Sequence, residues 1–185
     1  MSSYANILFL HFAAMAILFI GYGLEWTGTA FLRLSTTAQA ARTWLGLYRV
    51  SLPMSGPALI VLILSGGYLG GVTGASKEGW VLASVIGIVV ALAIGFALVM
   101  PRMKRIRAAL PAGDGPLSGD VLNRVQDGVM VTLIRMRAFI ALGIVYLMTT
   151  KPSTGTAFAI LLGAAVIGIL FSASSWSKPT AKSAA

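Results

Sequence analysis

The sequence predicts an all-α, polytopic transmembrane helix bundle of about five spans, with the N-terminus outside and the C-terminus in the cytoplasm. Three observations carry this reading. First, 57% of the residues are hydrophobic and only 10% are charged. A soluble domain carries roughly 25% charged residues, so too little polar surface remains to hydrate a globule, and lipid takes the place of water. Second, the apolar residues fall in runs of roughly 20, the length that crosses the hydrocarbon core as a helix. Third, the basic residues collect between alternate runs, which gives the crossings a direction.

The first span, 4–24, contains no charge. The second, 52–72, opens on Pro53 and Pro57, which suit a first helical turn because the missing N–H has no partner there. The third, 80–100, is uncharged and stops at Pro101. The fourth, 131–150, holds Arg135 and Arg137. The fifth, 157–174, follows the turn Lys151-Pro152-Ser153-Thr154-Gly155, which suits a tight antiparallel hairpin. A cleaved leader is not expected. No basic residue precedes the first run, and the small-x-small triplet Ala38-Gln39-Ala40 lies far beyond its end.

Between the spans, residues 36–50 read as an amphipathic interfacial helix. Ala38, Ala41, Leu45 and Tyr48 share a face, and Trp44 and Tyr48 suit the headgroup layer. Residues 101–130 form a cytoplasmic segment: a basic extension of the third helix (RMKRIRAAL), a turn (PAGDGP), and a helix from Ser118 that runs into the fourth span. Residues 175–185 read as a flexible cytoplasmic tail. With the N-terminus outside, twelve of the fourteen Lys and Arg residues fall inside, and only Lys77 and Lys151 fall outside. The opposite orientation violates the positive-inside rule.

Composition also excludes functions. With no cysteine there is no disulfide, thiolate metal site or cysteine nucleophile. A single histidine rules out a site needing two from one chain. The eight methionines are scattered and read as packing rather than a copper site. The net charge of +9 is set by topology and by anionic lipid heads at the cytoplasmic face, so no nucleic-acid partner is expected.

Ionisable groups in spans are costly and mark the first place to look for function. From His11, steps of 4, 3, 4 and 3 lead to Met15, Leu18, Tyr22 and Glu25, one stripe of one helix. His11 is therefore expected to face the bundle, with a Tyr or Ser hydroxyl or a haem iron as its partner. Tyr22, Ser65, Tyr68, Ser84 and Tyr146 are pocket candidates. The last four lie at about the depth of His11, although depth does not fix which way a side chain faces. At the inner boundary, Glu25 is expected to pair with Arg49, Arg135 or Arg137. Arg135 and Arg137 are roughly 200° apart around a helix, so only one of them can face the bundle. The glycines, including two overlapping GxxxG spacings over Gly66–Gly71, read as close helix packing.

Leu10-His11-Phe12 ahead of Gly21, Leu64-Ser65-Gly66-Gly67-Tyr68-Leu69, and Tyr146-Leu147-Met148-Thr149-Thr150-Lys151-Pro152 together resemble a broad group of small bacterial membrane proteins. That group has a histidine in helix one and includes predicted integral membrane proteins of unknown function. More distantly the chain is similar to copper-resistance D proteins and haem-binding protoporphyrinogen oxidases. The resemblance implies the bacterial inner membrane, with His11 as the residue that would hold haem. The oxidases' helix-embedded lysine has no counterpart in any span, and the tryptophan that follows their histidine is missing from Ala14–Ile20.

The expected function is a non-enzymatic membrane bundle, free-standing or an accessory subunit of a larger complex, needing no cofactor. A haem-binding redox protein is the alternative and a small transporter the third. Homo-oligomerisation is left open. The topology yields a direct prediction: single cysteines at Ser118 and Ser76 label from opposite sides of the membrane. Labelling of Ser118→Cys from outside intact cells would reverse the orientation.

Overall fold

In lipid, backbone N–H and C=O groups must be satisfied within the protein, and a helix does this within its own segment. The computed structural model describes residues 3–177 and is all-helical, with no β-strand among the described residues. Helix α1 spans Ser3–Leu34, α2 Ala38–Thr73, α3 Gly79–Ala93, α4 Met100–Ala109, α5 Gly119–Val125, α6 Gly128–Thr150 and α7 Thr154–Leu170. A π-helical turn, Ile94–Val99, joins α3 to α4 in one rod. Four helical segments are long and apolar enough to cross a membrane: α1, α2, the α3–α4 rod, and α5 with α6. Helix α7 is apolar but has only 17 residues. The protein is thus a multi-pass membrane bundle of four long helical segments and one shorter helix.

The observed helices correct the expected boundaries in four places. The interfacial helix predicted over 36–50 is not separate, because it is the first part of α2. Thr37 caps that helix, its hydroxyl accepting from the Ala40 N–H, and Pro53 and Pro57 lie in the interior. The reason is phase. The buried residues Ser51, Ser55, Ala58 and Ser65 keep helical spacing straight through both prolines, so packing on α1 holds the helix together where proline removes backbone bonds. The run predicted from Ser118 into the fourth span breaks at 126–127, where the Asp127 carboxylate accepts from the Val129 N–H and starts α6 afresh.

The fifth span, expected over 157–174, is displaced toward the N-terminus as α7. Finally, the predicted tail does not begin at 175. Arg33 Nη2 donates to the Ser175 and Ser177 carbonyls at 2.5 and 3.2 Å, and Trp176 Nε1 donates to Thr132 Oγ1 at 3.0 Å. The rest of that tail, with Lys178 and Lys182, lies outside the described residues.

The π turn has a local cause. Pro101 has no N–H to give to the fourth residue back, and its ring crowds that carbonyl. The preceding residue, Met100, bonds instead to the Gly95 carbonyl, five residues back. The chain beyond the proline then continues as helix.

Helices α1 and α2 form a long antiparallel hairpin, and α3, α6 and α7 pack together beside it. Leu18, Tyr22, Ala58, Ala138 and Ala141 make the seam where α1, α2 and α6 meet. Packing rather than water drives helix association in lipid, so small residues set the approach distances. At Gly168 of α7 an added Cβ would sit 2.7 Å from the Met136 Cα of α6. At Gly163 it would meet nothing within 4 Å. Gly168→Ala should therefore force α6 and α7 apart, at a cost of roughly 1–3 kcal/mol, while Gly163→Ala should be near neutral. Thermal unfolding in detergent measures both. Equal effects would mean that the α6–α7 approach does not depend on this glycine.

Candidate functional site

The turn at 35–37 folds α2 back along α1, so Glu25, ten residues before it, faces Tyr48 and Ser51, eleven and fourteen residues after it. Helix α6 crosses the same level with Arg137. Arg137 Nη1 donates to Glu25 Oε2 at 3.1 Å. The Ser51 hydroxyl lies 3.5 Å from Glu25 Oε1, and the guanidinium carbon stands 5.1 Å from the centre of the Tyr22 ring, in cation–π range. The carboxylate side chain is 4% exposed and the guanidinium side chain 12%. Three helices thus contribute to one neutral ion pair.

The rod supplies the fourth side. An added Cβ on Gly95, within the π turn, would lie 3.0 Å from the Arg137 guanidinium carbon, so only glycine leaves room there without displacing the arginine. Beside the pair is a cavity of about 40 Å³ lined by Glu25, Tyr48, Leu52, Leu92, Gly95, Phe96, Met100 and Arg137. It has room for a few water molecules at most. π turns recur at functional sites, and this one adjoins the buried Glu25–Arg137 pair.

Of the three arginines considered for Glu25, Arg137 is the one in contact. Arg135 points the other way around α6, as the roughly 200° separation requires. Its guanidinium carbon stands 5.1 Å from the Trp26 ring centre and 5.6 Å from that of Phe171, and Nη1 donates to the Phe171 carbonyl at 2.9 Å. Arg135 and Arg33 thus bring positive charge to the C-terminal end of α7, where helix carbonyls lack partners. Arg49 is exposed on α2.

The pocket candidates do not assemble into one site. His11 Nδ1 lies 2.8 Å from Ser65 Oγ, and His11 is packed against Gly66. Tyr68 and Tyr146 are 44% and 54% exposed on the outer surface, and Ser84 turns its hydroxyl back to the Trp80 carbonyl of its own helix. Tyr22 belongs with Glu25 instead. Ser65 Oγ also donates to the Val61 carbonyl at 2.5 Å, which leaves it able to accept from His11 in the tautomer that carries the hydrogen on Nδ1. No cluster of three or more His, Asp or Glu side chains suited to a metal ion occurs among the described residues.

Sequence reasoning missed Ser51, Tyr48 and Gly95. Tyr48 was legible from the hairpin turn, by counting nearly equal distances on either side of it, whereas Ser51 lies almost one helical turn further along. Gly95 was hidden because nothing in an apolar run announces that one turn will be wider.

The pair makes a quantitative prediction. Glu25→Gln or Arg137→Met alone strands its partner's charge in the bundle, at roughly 3–5 kcal/mol by the standard of buried pairs in soluble proteins. The double variant should cost much less than the sum of the two. Thermal unfolding of all four proteins in one detergent closes the cycle, and simple additivity would show that the two residues are not coupled.

No curated protein and no solved structure matches the chain. A family model described as predicted integral membrane protein (DUF2269) matches residues 5–152, from the first turns of α1 to the end of α6. With the match covering most of its length and its helices long enough to cross a bilayer, the chain belongs to the DUF2269 family of predicted integral membrane proteins.

Proposed function

We propose that the protein is a non-enzymatic membrane bundle, free-standing or an accessory subunit of a larger complex, in the bacterial inner membrane with its basic end in the cytoplasm. The observation that supports this is the closure of the Glu25–Arg137 centre. Carboxylate and guanidinium are engaged with each other across three helices, and the space beside them is about 40 Å³. Sites for small-molecule substrates are typically about 300–1,000 Å³. A centre this tight fixes helices relative to one another and leaves no room for a substrate. The orientation rests on the basic end, which carries all the described Lys and Arg residues except Lys77 and Lys151.

A second reading has one observation in its favour. In the tautomer whose Nδ1–H donates to Ser65, His11 Nε2 would carry the lone pair that an axial haem ligand needs. Against it, His11 is 7% exposed and packed against Gly66, and it lines neither the cavity beside Glu25 nor a second cavity between α4 and α5. This packing favours the hydrogen-bonded reading of His11 over the haem one.

An absorption spectrum of the detergent-purified protein separates the two. The bundle reading expects a colourless sample, and His11→Gln, which keeps a hydrogen-bonding side chain toward Ser65, should retain most of the stability. A Soret band lost in His11→Gln would replace this reading with the haem one.

A further inference from the structure

The second cavity, about 360 Å³, opens at the basic end between α4 and α5. Its lining is Arg102, Arg105, Ile106, Asn123, Arg124 and Asp127. The walls are built, not incidental. Met103 and Ile106 of α4 and Val121 and Val125 of α5 are all buried in the main core cluster. The loop between the helices is pinned to the start of α2. The Leu117 N–H donates to the Thr36 carbonyl and the Ala38 N–H to the Gly115 carbonyl, both at 2.9 Å. Arg42 donates to the Pro111 and Gly113 carbonyls at 2.7 and 3.1 Å and pairs with Asp114. A free α4–α5 hairpin would flex, but this one is tied down at its turn.

The charges in the cleft are unequally matched. Arg102 lies 3.5 Å from Asp127 and also donates to the Leu98 carbonyl. Arg124 pairs with Asp120 at 3.0 Å. Arg105, exposed at the mouth of the cleft, forms no hydrogen bond or ion pair among the described residues, so one cation lacks an anion between two that have one. Its depth is also informative. Met100 closes the apolar run, and Arg105 is five residues further along the helix, roughly 8 Å at 1.5 Å per residue. The headgroup layer on each side of the hydrocarbon core is roughly 5–8 Å deep.

We propose that this cleft binds a phosphate group, with Arg105 as its principal ligand and Arg102 and Arg124 flanking it. The guanidinium fork offers paired N–H donors matched to phosphate oxygens, and a phosphate supplies the missing negative charge. Ile106 gives the apolar floor on which a glycerol backbone would rest. The phosphate has two sources: the headgroup of an anionic phospholipid, or free phosphate from the aqueous phase. The inference rests on the chain being embedded in a membrane and not on whether it is an enzyme, so a Soret band would leave it standing.

The test uses the full chain, delipidated in detergent. Native mass spectrometry with added phosphatidylglycerol reports bound lipid, and calorimetric titration with inorganic phosphate reports the free anion. Arg105→Gln is compared with Lys104→Gln and Arg107→Gln, which remove the same charge from the same helix but do not line the cleft. The expected result is a loss of affinity of roughly tenfold or more for Arg105→Gln, the scale of one charged hydrogen bond, with both controls near wild type. Arg105→Lys, which keeps the charge without the fork, should fall between. This pattern with phosphatidylglycerol assigns the lipid source, and with inorganic phosphate the soluble one. Equal losses in all three glutamine variants would reduce the cleft to diffuse surface charge and overturn the proposal. Absence of binding by both probes would overturn it as well.

Discussion

A carboxylate inside an apolar bundle has few stable arrangements. Glu25 is 3% exposed, and the bundle resolves its charge with one guanidinium from another helix. The rest of the packing is compatible with that contact. It requires α1 to turn its His11–Tyr22–Glu25 stripe inward and α6 to point Arg137 rather than Arg135 at the centre. It requires small residues where the helices meet. Ala58, Ala138 and Ala141 serve at the seam, and Gly95 serves where the rod passes behind the arginine. Such a pair contributes less to net stability than its Coulomb energy suggests, because both ions lost their water. Its stronger effect is to exclude other rotational settings of the helices, each of which leaves a charge facing hydrocarbon.

The same end of the molecule uses its other arginines differently. Arg135 and Arg33 meet backbone carbonyls at the end of α7, and Arg42 meets those of the 111–114 loop. Arginine suits this work, since its donors fan out in a plane and one side chain can hold several carbonyls. These contacts let the 17-residue α7 and the short α5 stay docked, though neither has the length of a full crossing. These arginines thus hold the polar edge of the fold together.

Fold class and helix positions were legible because lipid imposes a simple rule on composition and run length. The inward stripe of α1 was legible from its spacing alone. Details that depend on partners were not. Pro53 and Pro57 looked like a helix start, since local chemistry says so, and only the stripe running in phase from Ser51 to Ser65 shows that neighbouring helix α1 prevails. At the site, depth grouped Glu25 with Arg49, Arg135 and Arg137 but gave no facing, so Tyr68 and Tyr146 were drawn into a pocket that their exposure dissolves. A helix wheel needs a second helix before it says which side is in.

The wide turn at Ile94–Val99 has one further consequence. Buried apolar positions and glycines along the rod run Ala83, Gly87, Ala91 and Ile94, with Ser84 beside the first, then Val99, Met103 and Ile106. Leaving Ser84 aside, each step is three or four residues except the one across the wide turn, which is five. An unbroken α-helix would have carried Val99 well around the cylinder from Ile94. The turn acts as a phase shifter that absorbs one surplus residue and delivers the basic extension with its apolar side still toward α5. Losing one residue there would leave the faces of the rod aligned, whereas the same loss two turns earlier would swing one half of the rod against the other. The rod therefore has a single place where its length can change without its orientation changing.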